Sequence, residues 1–178
     1  HKIDTVPAFS GLIHVTAEGL EREGLKLHEV HHDAGKMAKA AASTFKLTGM
    51  PSATLPLDLC APAEALGSEL NFYEDGRLQF PQVKGVIFKS TKEIRGLENR
   101  GPEIGRLGVI CEAIRLVKED VGQDVVISGM IPGPYTLILY LCNLPNMVRE
   151  MKKEPQVVMD ALFHLSSFLA EIGKAYRE

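Results

Sequence analysis

Apolar and polar positions alternate along the chain with two different periods, and this alternation predicts the fold class. Short apolar segments typical of buried strands occupy residues 6–13, 53–57 and 124–129. Segments whose apolar residues recur every three or four positions, as on one face of a helix, occupy residues 34–47, 102–121, 136–141, 145–152 and 155–178. Because strands alternate with helices, we predict an α/β fold with parallel strands and outer helices.

Residues with well-defined capping roles mark the ends of several predicted helices. Asp33 is a favourable N-cap for the helix that follows it, and Gly49 is placed to end that helix. Gly122 is placed to end the next one. Residues 19–32 are polar and contain histidines, so we predict a loop there with at most one helical turn.

One carboxylate, Asp58, directly follows the second predicted strand, and Cys60 lies two residues further on. An acid at the carboxyl end of a strand in an α/β protein commonly takes part in chemistry. Aspartate also commonly caps a short helix, and such a helix is predicted over residues 63–66. Spacing alone favours neither interpretation of Asp58.

Composition limits the classes of partner. The chain has 178 residues and a formal net charge of −3, with lysines and arginines scattered along its length. It therefore lacks the basic character of proteins that bind nucleic acid or anionic membranes. The longest apolar stretch, residues 135–142, is far too short to span a bilayer. We expect neither nucleic acid nor a membrane as a partner.

The cysteine pattern and the first residue suggest a setting for the protein. Cys60, Cys111 and Cys142 are widely spaced, odd in number and surrounded by apolar residues. This pattern is typical of a reducing environment, so we predict a cytoplasmic location.

The chain starts at His1 and not at methionine, and we expect it to be part of a longer protein.

Three segments of the chain resemble the uroporphyrinogen decarboxylase superfamily. They are LPLDLCAPAEALGSELNF, ISGMIPGPYTLILYL and PAFSGLIHVTAEG, the last with the helix after Asp33. The third segment resembles the corrinoid methyltransferase branch in particular. The resemblance implies a (β/α)8 barrel, which takes roughly 250 residues or more. We therefore expect a single partial domain over residues 1–178, the N-terminal half of a barrel with about three βα units.

The methyltransferase branch moves a methyl group from a methylated corrinoid protein to a thiol such as coenzyme M. The resemblance implies that zinc in the complete protein keeps this thiol deprotonated. The family's zinc ligands are a His-x-Cys motif and a distant cysteine, all in the second half of the barrel. This chain has no His-x-Cys motif, so we expect the ligands to lie outside it.

The resemblance also identifies candidate site residues at the barrel mouth. Asp58 is the candidate catalytic residue, and the candidate substrate-binding residues are Ser10, His14, Cys60, Gly129, Gly133 and Tyr135. A buried, inert thiol is the simpler interpretation of Cys60, and a surface loop is as good an interpretation of His14. We interpret the adjacent His31 and His32 as part of a solvated loop.

Two rival functions remain open at this point. The decarboxylase branch acts on a porphyrinogen and carries an arginine-rich stretch near its first strand to hold carboxylates. Residues 9–14 contain no arginine, which counts against decarboxylation. The second rival is a non-catalytic binding or assembly half. In each case a half barrel needs a partner to cover its edges, either a second half-barrel chain or a second copy.

Overall fold

The computed structural model describes residues 9–97, 101 and 104–177. The helices are α1 (Ala17–Arg22), α2 (Ala34–Thr48), α3 (Ala61–Ala65), α4 (Arg106–Val121), α5 (Pro134–Leu141), α6 (Leu144–Lys153) and α7 (Pro155–Ala175). The strands are β1 (Ser52–Leu55), β2 (Leu70–Asn71), β3 (Gln82–Val83) and β4 (Val126–Gly129). Two short 3-10 helices occupy Leu27–Glu29 and Thr91–Gly96.

Strand β1 is buried along its whole length, and its pairing with β4 positions the candidate site. The two strands are parallel, with Ser52 opposite Val126 and Leu55 opposite Gly129. The predicted parallel arrangement is therefore confirmed for these strands. Because parallel strands end at the same edge of a sheet, the loops that follow β1 and β4 emerge side by side. A separate antiparallel pair joins β2 to β3.

Helix α2 follows the predicted boundaries closely. The carboxylate of Asp33 accepts a hydrogen bond of 2.8 Å from the backbone N–H of Lys36, as an N-cap does. Gly49 ends the helix in the left-handed conformation, with φ of 75°. The buried face consists mainly of small residues that let the helix approach β1 and α4 closely: Met37, Ala38, Ala40, Ala41 and Ala42.

Helix α7 covers the opposite side of the core. It packs against α5, α6 and the 3-10 helix Thr91–Gly96. The stripe predicted from its sequence is largely buried, with Val158, Leu165, Leu169 and Ile172 among the core residues. Burial of one such side chain contributes roughly 1.5–3 kcal/mol. Within the described part of the chain, no helix has both the length and the apolar character needed to cross a membrane.

The predicted first strand, residues 6–13, does not form as a paired strand over its described portion. Residues 9–13 form a loop, and residues 6–8 lie outside the described residues. Side-chain hydroxyls hold this loop beside β1. Ser52 Oγ donates to the Ser10 carbonyl at 2.7 Å, and Thr54 Oγ1 donates to it at 3.2 Å. These bonds replace the backbone ladder that the sequence predicts.

Two short helices form in segments that their polar composition did not predict to be helical. Residues 19–32, predicted as a loop, contain most of α1, whose N-cap Thr16 accepts a 3.0 Å bond from the N–H of Gly19. The 3-10 helix Thr91–Gly96 lies in a segment whose polarity predicts only a connector. Helix α4 begins at Arg106, later than predicted, and the predicted start at Pro102 lies outside the described residues.

Candidate functional site

Asp58 lies buried just beyond the carboxyl end of β1, and both of its carboxylate oxygens accept hydrogen bonds. Arg106 donates from Nη1 to Oδ2 at 2.7 Å and from Nη2 to Oδ1 at 3.2 Å. The backbone N–H of Cys60 donates to Oδ1 at 2.8 Å. Asp58 is therefore not the cap of α3, since that helix begins at Ala61 with Cys60 at its N-cap. Its side chain instead fixes the loop and receives an arginine.

Arg106 connects Asp58 to the outer part of the site. Its Nε donates to Glu64 Oε2 at 2.5 Å, and its guanidinium carbon lies 5.1 Å from the centre of the Phe72 ring. The ring face attracts the cation and shields it from water. Arg106 is 5% exposed, so its charge has been moved almost entirely out of solvent. We refer to Asp58, Arg106, Glu64, Phe72 and His31 as the Asp58 cluster.

His31 completes this cluster from the other side. Its side chain is fully buried, and its Nδ1 lies 3.4 Å from Asp58 Oδ2. The contact is too poorly aligned to count as a hydrogen bond, and neither ring nitrogen has such a partner among the described residues. His32 is exposed, and its ring centre lies 4.3 Å from that of Phe72. The prediction of a solvated loop is therefore wrong for His31.

Charges in the cluster follow from its burial and pairing. Burial alone would raise the pKa of the Asp58 carboxyl, but the contacts from His31 and Arg106 outweigh it and hold the pKa well below its usual range. Burial lowers the pKa of His31, and the nearby Asp58 charge only partly opposes this effect. At neutral pH the cluster therefore contains an ionised Asp58–Arg106 pair and a neutral His31. Asp58 is poorly suited to accept a proton under these conditions.

Cys60 has a buried thiol whose Sγ donates to the carbonyl of Pro81 at 3.3 Å. Burial and the charge of Asp58 raise the pKa of the Cys60 thiol to about 11. The thiol is therefore protonated at neutral pH, which agrees with the simpler interpretation of a buried, inert cysteine. Cys60 and Tyr140 border a cavity of about 420 Å³ that opens beside the cluster. A substrate-binding role for Cys60 remains a prediction.

The loop after β4 brings three further candidate residues to the same edge. Gly129 ends β4, and a Cβ atom at this position would lie 3.1 Å from Cδ2 of Tyr176. Glycine thus lets the Tyr176 ring pack against the end of the strand. Gly133 is the N-cap residue of α5, and Tyr135 lies half-exposed in the first turn of that helix. Their predicted roles in substrate binding stay predictions.

Ser10 and His14 lie along β1 and not in the loops beyond its carboxyl end. His14 Nε2 lies 2.9 Å from the carbonyl oxygen of Ser52, the first residue of the strand, and its Nδ1 lies 2.7 Å from that of Leu12. Ser10 bonds to the hydroxyls of Ser52 and Thr54. The loops that carry Asp58 and Cys60 on one strand, and Gly133 and Tyr135 on the other, leave the same edge of the strand pair, whereas His14 lies at the amino end of β1.

The sequence alone did not identify Arg106, Glu64 or His31 as members of the site. Arg106 lies 48 residues from Asp58, and nothing in its local pattern names that partner. The signal appears only once the structure starts α4 at Arg106, because a cation in the first turn of a helix is disfavoured by the helix dipole. An arginine at that position calls for a nearby anion, and Asp58 and Glu64 supply it.

Potential metal-ligating side chains do not cluster in the described part of the chain. Among residues 9–97, 101 and 104–177, no group of three or more His, Cys, Asp or Glu side chains is arranged to hold a metal ion. His28 lies in a 3-10 helix and His32 packs against the Phe72 ring at a tilt of 55°. The described residues therefore do not fit the zinc site that the resemblance implies.

Comparison with known proteins identifies the family. A family model described as uroporphyrinogen decarboxylase (URO-D) matches residues 1–178. The chain belongs to the uroporphyrinogen decarboxylase family. It is 31% identical over 140 residues to the methylcobamide:CoM methyltransferase MtbA of Methanosarcina acetivorans, covering 78% of this chain and 40% of the relative. It is 28% identical over 160 residues to MtaA of Methanosarcina barkeri, covering 90% and 47%.

Two other relatives complete the comparison for this member of the uroporphyrinogen decarboxylase family. A uroporphyrinogen decarboxylase of Sulfurovum sp. is 22% identical over 153 residues, covering 83% of this chain and 42% of that protein. A solved methyltransferase from Methanosarcina mazei superposes with a TM-score of 0.87 at 27% identity, covering 98% of this chain and 51% of the other. The chain thus spans 40–47% of the length of MtbA, MtaA and the Sulfurovum decarboxylase, and about half of the solved methyltransferase. The predicted half of a (β/α)8 barrel is confirmed.

Proposed function

We propose that the complete protein transfers a methyl group from a methylated corrinoid protein to a thiol acceptor such as coenzyme M. The observation that carries this proposal is the similarity to MtbA and MtaA, at 31% and 28% identity. Identity to a uroporphyrinogen decarboxylase is lower, at 22%. The chain would supply one side of the barrel mouth, formed by the loops after β1 and β4. The cytoplasmic location predicted from the cysteines belongs to the same proposal.

Asp58 would act in this mouth by holding other groups in place, and not by proton transfer. Both of its oxygens are already bonded to Arg106 and to the backbone of Cys60. A carboxylate with so low a pKa stays ionised throughout the neutral range. Its role would be to fix the loop that ends at Cys60 and to orient Arg106.

The proposed reaction uses zinc, and we propose that the zinc ligands lie outside this chain. The described residues do not provide a ligand set for it. Loss of the acceptor's thiol proton would therefore depend on the other half of the barrel. Within this chain, the protonated thiol of Cys60 and the paired Asp58 are both unsuited to remove that proton.

The decarboxylase alternative has an observation against it in the structure. Residues 9–14 contain no arginine to hold the carboxylates of a porphyrinogen. Arg106, the one arginine that is buried in the part of the chain that the structure describes, already pairs with Asp58 and Glu64. A substrate carboxylate would have to displace one of these partners, which would leave a buried charge unpaired.

An assembly role is the other alternative, and the outer side of β4 favours a partner chain. Strand β4 pairs only with β1 among the described residues, and its Val126 is 53% exposed. We propose that a second half-barrel chain, or a second copy, covers this side.

One experiment separates these functions. The chain would be mixed with the C-terminal half of the Methanosarcina acetivorans MtbA and supplied with methylcobalamin and coenzyme M. Loss of free thiol together with loss of the methylcobalamin absorbance is the expected result, with no decarboxylation of uroporphyrinogen in a parallel assay. Decarboxylation without methyl transfer would overturn the proposal. A stable complex with neither activity would support the assembly role.

The matched variants for this assay are Asp58→Asn and Asp75→Asn. Asp75 is half-exposed on the turn between β2 and β3 and pairs with Arg77. If the Asp58 cluster shapes the mouth, the first variant lowers the rate and the second leaves it unchanged. Equal rates for the two variants would show that Asp58 has no role in the proposed site.

A further inference from the structure

The cavity beside Cys60 has the size and lining of a small-molecule site. Its volume of about 420 Å³ falls within the range of known ligand pockets. It opens between the loop after β1 and the segment that leads into β3. Most of its wall is apolar, formed by Ile13, Leu59, Phe80, Pro81 and Val83. The polar groups that reach it come from Asp58, Cys60, Gln82 and Tyr140.

The charge of this cavity is its distinctive property. Among the described residues that line it, none is a lysine, arginine or histidine, and Asp58 is the only one that is charged. Burial is the main cause of the raised pKa of the Cys60 thiol and of the Tyr140 hydroxyl; the charge of Asp58 comes next for Cys60, but for Tyr140 it follows the effects of Cys60. Both groups therefore stay protonated and uncharged at neutral pH, with the Cys60 thiol donating to the carbonyl of Pro81.

An anion that entered this cavity would meet a negative charge and no cation. Arg106 offsets Asp58, but Glu64 pairs with the same guanidinium, so two carboxylates face one cation. His31 does not restore the balance, because burial keeps it neutral. Removing an anion from water without a partner is strongly unfavourable. A neutral apolar molecule avoids this penalty and gains contact with the wall.

We propose that this cavity binds a small, neutral and largely apolar ligand, or the uncharged apolar end of a larger one, and discriminates against carboxylates and sulfonates. The cavity shares Asp58 and Cys60 with the proposed barrel mouth, but the binding proposed here does not require methyl transfer. It also makes a prediction about that reaction, since the charged end of a sulfonate acceptor such as coenzyme M does not occupy this cavity.

The test compares two probes that share a ring and differ in charge. The 178-residue chain would be titrated at pH 7 with benzyl alcohol and, separately, with benzoate, while its backbone amide signals are followed by NMR. Benzyl alcohol is expected to shift the signals of Leu59, Val83 and Tyr140 in a saturable manner. The affinity for benzoate is expected to be lower by a factor of about ten or more.

A pair of variants ties the binding to this cavity. Leu59→Trp fills part of the space, and Leu78→Trp makes the same change at an exposed residue that does not line the cavity. Loss of benzyl alcohol binding in the first variant, with retention in the second, is the expected result. Equal or tighter binding of benzoate would overturn the proposal, as would the absence of any saturable shift at the cavity residues. If Leu59→Trp does not fold, the comparison of probes on the unmodified chain decides.

Discussion

Two carboxylates, Asp58 and Glu150, connect distant parts of this chain, and their partners differ in charge. Asp58 is buried and pairs with the cation of Arg106. Glu150 is only partly buried and accepts from neutral donors, namely Ser90 Oγ at 2.6 Å, Thr91 Oγ1 at 2.6 Å and the Thr91 N–H at 3.0 Å. The pKa of each carboxyl is lowered, because in each case the donors outweigh the effect of burial.

The difference shows how the depth of a carboxylate decides which partner it needs. Glu150 keeps part of its hydration, so hydroxyl and amide donors are sufficient to hold it. Asp58 has lost nearly all contact with water, and only an opposite charge in good geometry offsets that loss. Removing a partner should therefore be far more damaging at Asp58 than at Glu150.

The largest effect is expected for Arg106→Ala. This change leaves Asp58 charged, buried and without a counter-ion, and also releases Glu64. We expect a loss of about 3–5 kcal/mol in the free energy of unfolding, measured by urea denaturation. The control is Arg115→Ala on the same helix, where the exposed ion pairs with Glu112 and Glu119 should contribute little to stability. Similar losses for both variants would contradict the importance of the buried pair.

A smaller effect is expected for Asp58→Asn. The amide has nearly the same shape, but it carries no charge and places an NH₂ group near the donors of Arg106. We expect a loss of about 2–3 kcal/mol in the same measurement. Adding Arg106→Met to this variant should recover part of the loss, because the buried cation is then also removed. Additive losses in the double variant would show that the two residues are not coupled.

Glu150→Gln should have a milder effect than either change in the Asp58 cluster. The amide oxygen still accepts from Thr91 or Ser90, and no buried cation is left unpaired. We expect a loss of about 1 kcal/mol in the free energy of unfolding. Glu154→Gln provides the control, because Glu154 is half-exposed and pairs only with Lys92 among the described residues. A loss at Glu150 as large as that at Asp58 would remove the distinction between the two carboxylates.

The smallest effect concerns pH, and it separates His31 from Asp58. The folded pKa of His31 is lowered, so its contribution to stability is complete above about pH 6.5 and declines as the pH falls below that value. The folded pKa of Asp58 is also lowered, so its contribution is complete above about pH 3.9 and is lost only at more acidic pH.

Urea denaturation between pH 8 and pH 3 tests this separation. His31→Phe should flatten the dependence just below about pH 6.5, and Asp58→Asn should flatten it below about pH 4. His32→Phe is the matched control, because His32 is exposed and already stacks on Phe72. If the control changes the upper part of the curve as much as His31→Phe does, the upper decline does not belong to the buried histidine.

Local sequence determined where several helices and strands lie, because their ends and buried faces depend on residues close together in the chain. Asp33 and Gly49 fix the two ends of α2, and the apolar stripe of α7 was visible from its spacing alone. The strands β1 and β4 and their parallel pairing also followed from short apolar segments separated by helices. These features depend on capping and periodicity, which act over a few residues.

Only the tertiary structure decided the contents of the candidate site. Asp58 stood out in the sequence, but its partner Arg106 is 48 residues away and His31 belongs to a polar stretch that gives no sign of burial. Burial and charge pairing depend on which elements pack together, and no local pattern encodes that. The sequence therefore determined where the acid lies along the chain, and the packing of α4 against β1 determined that this acid is buried, paired and ionised at neutral pH.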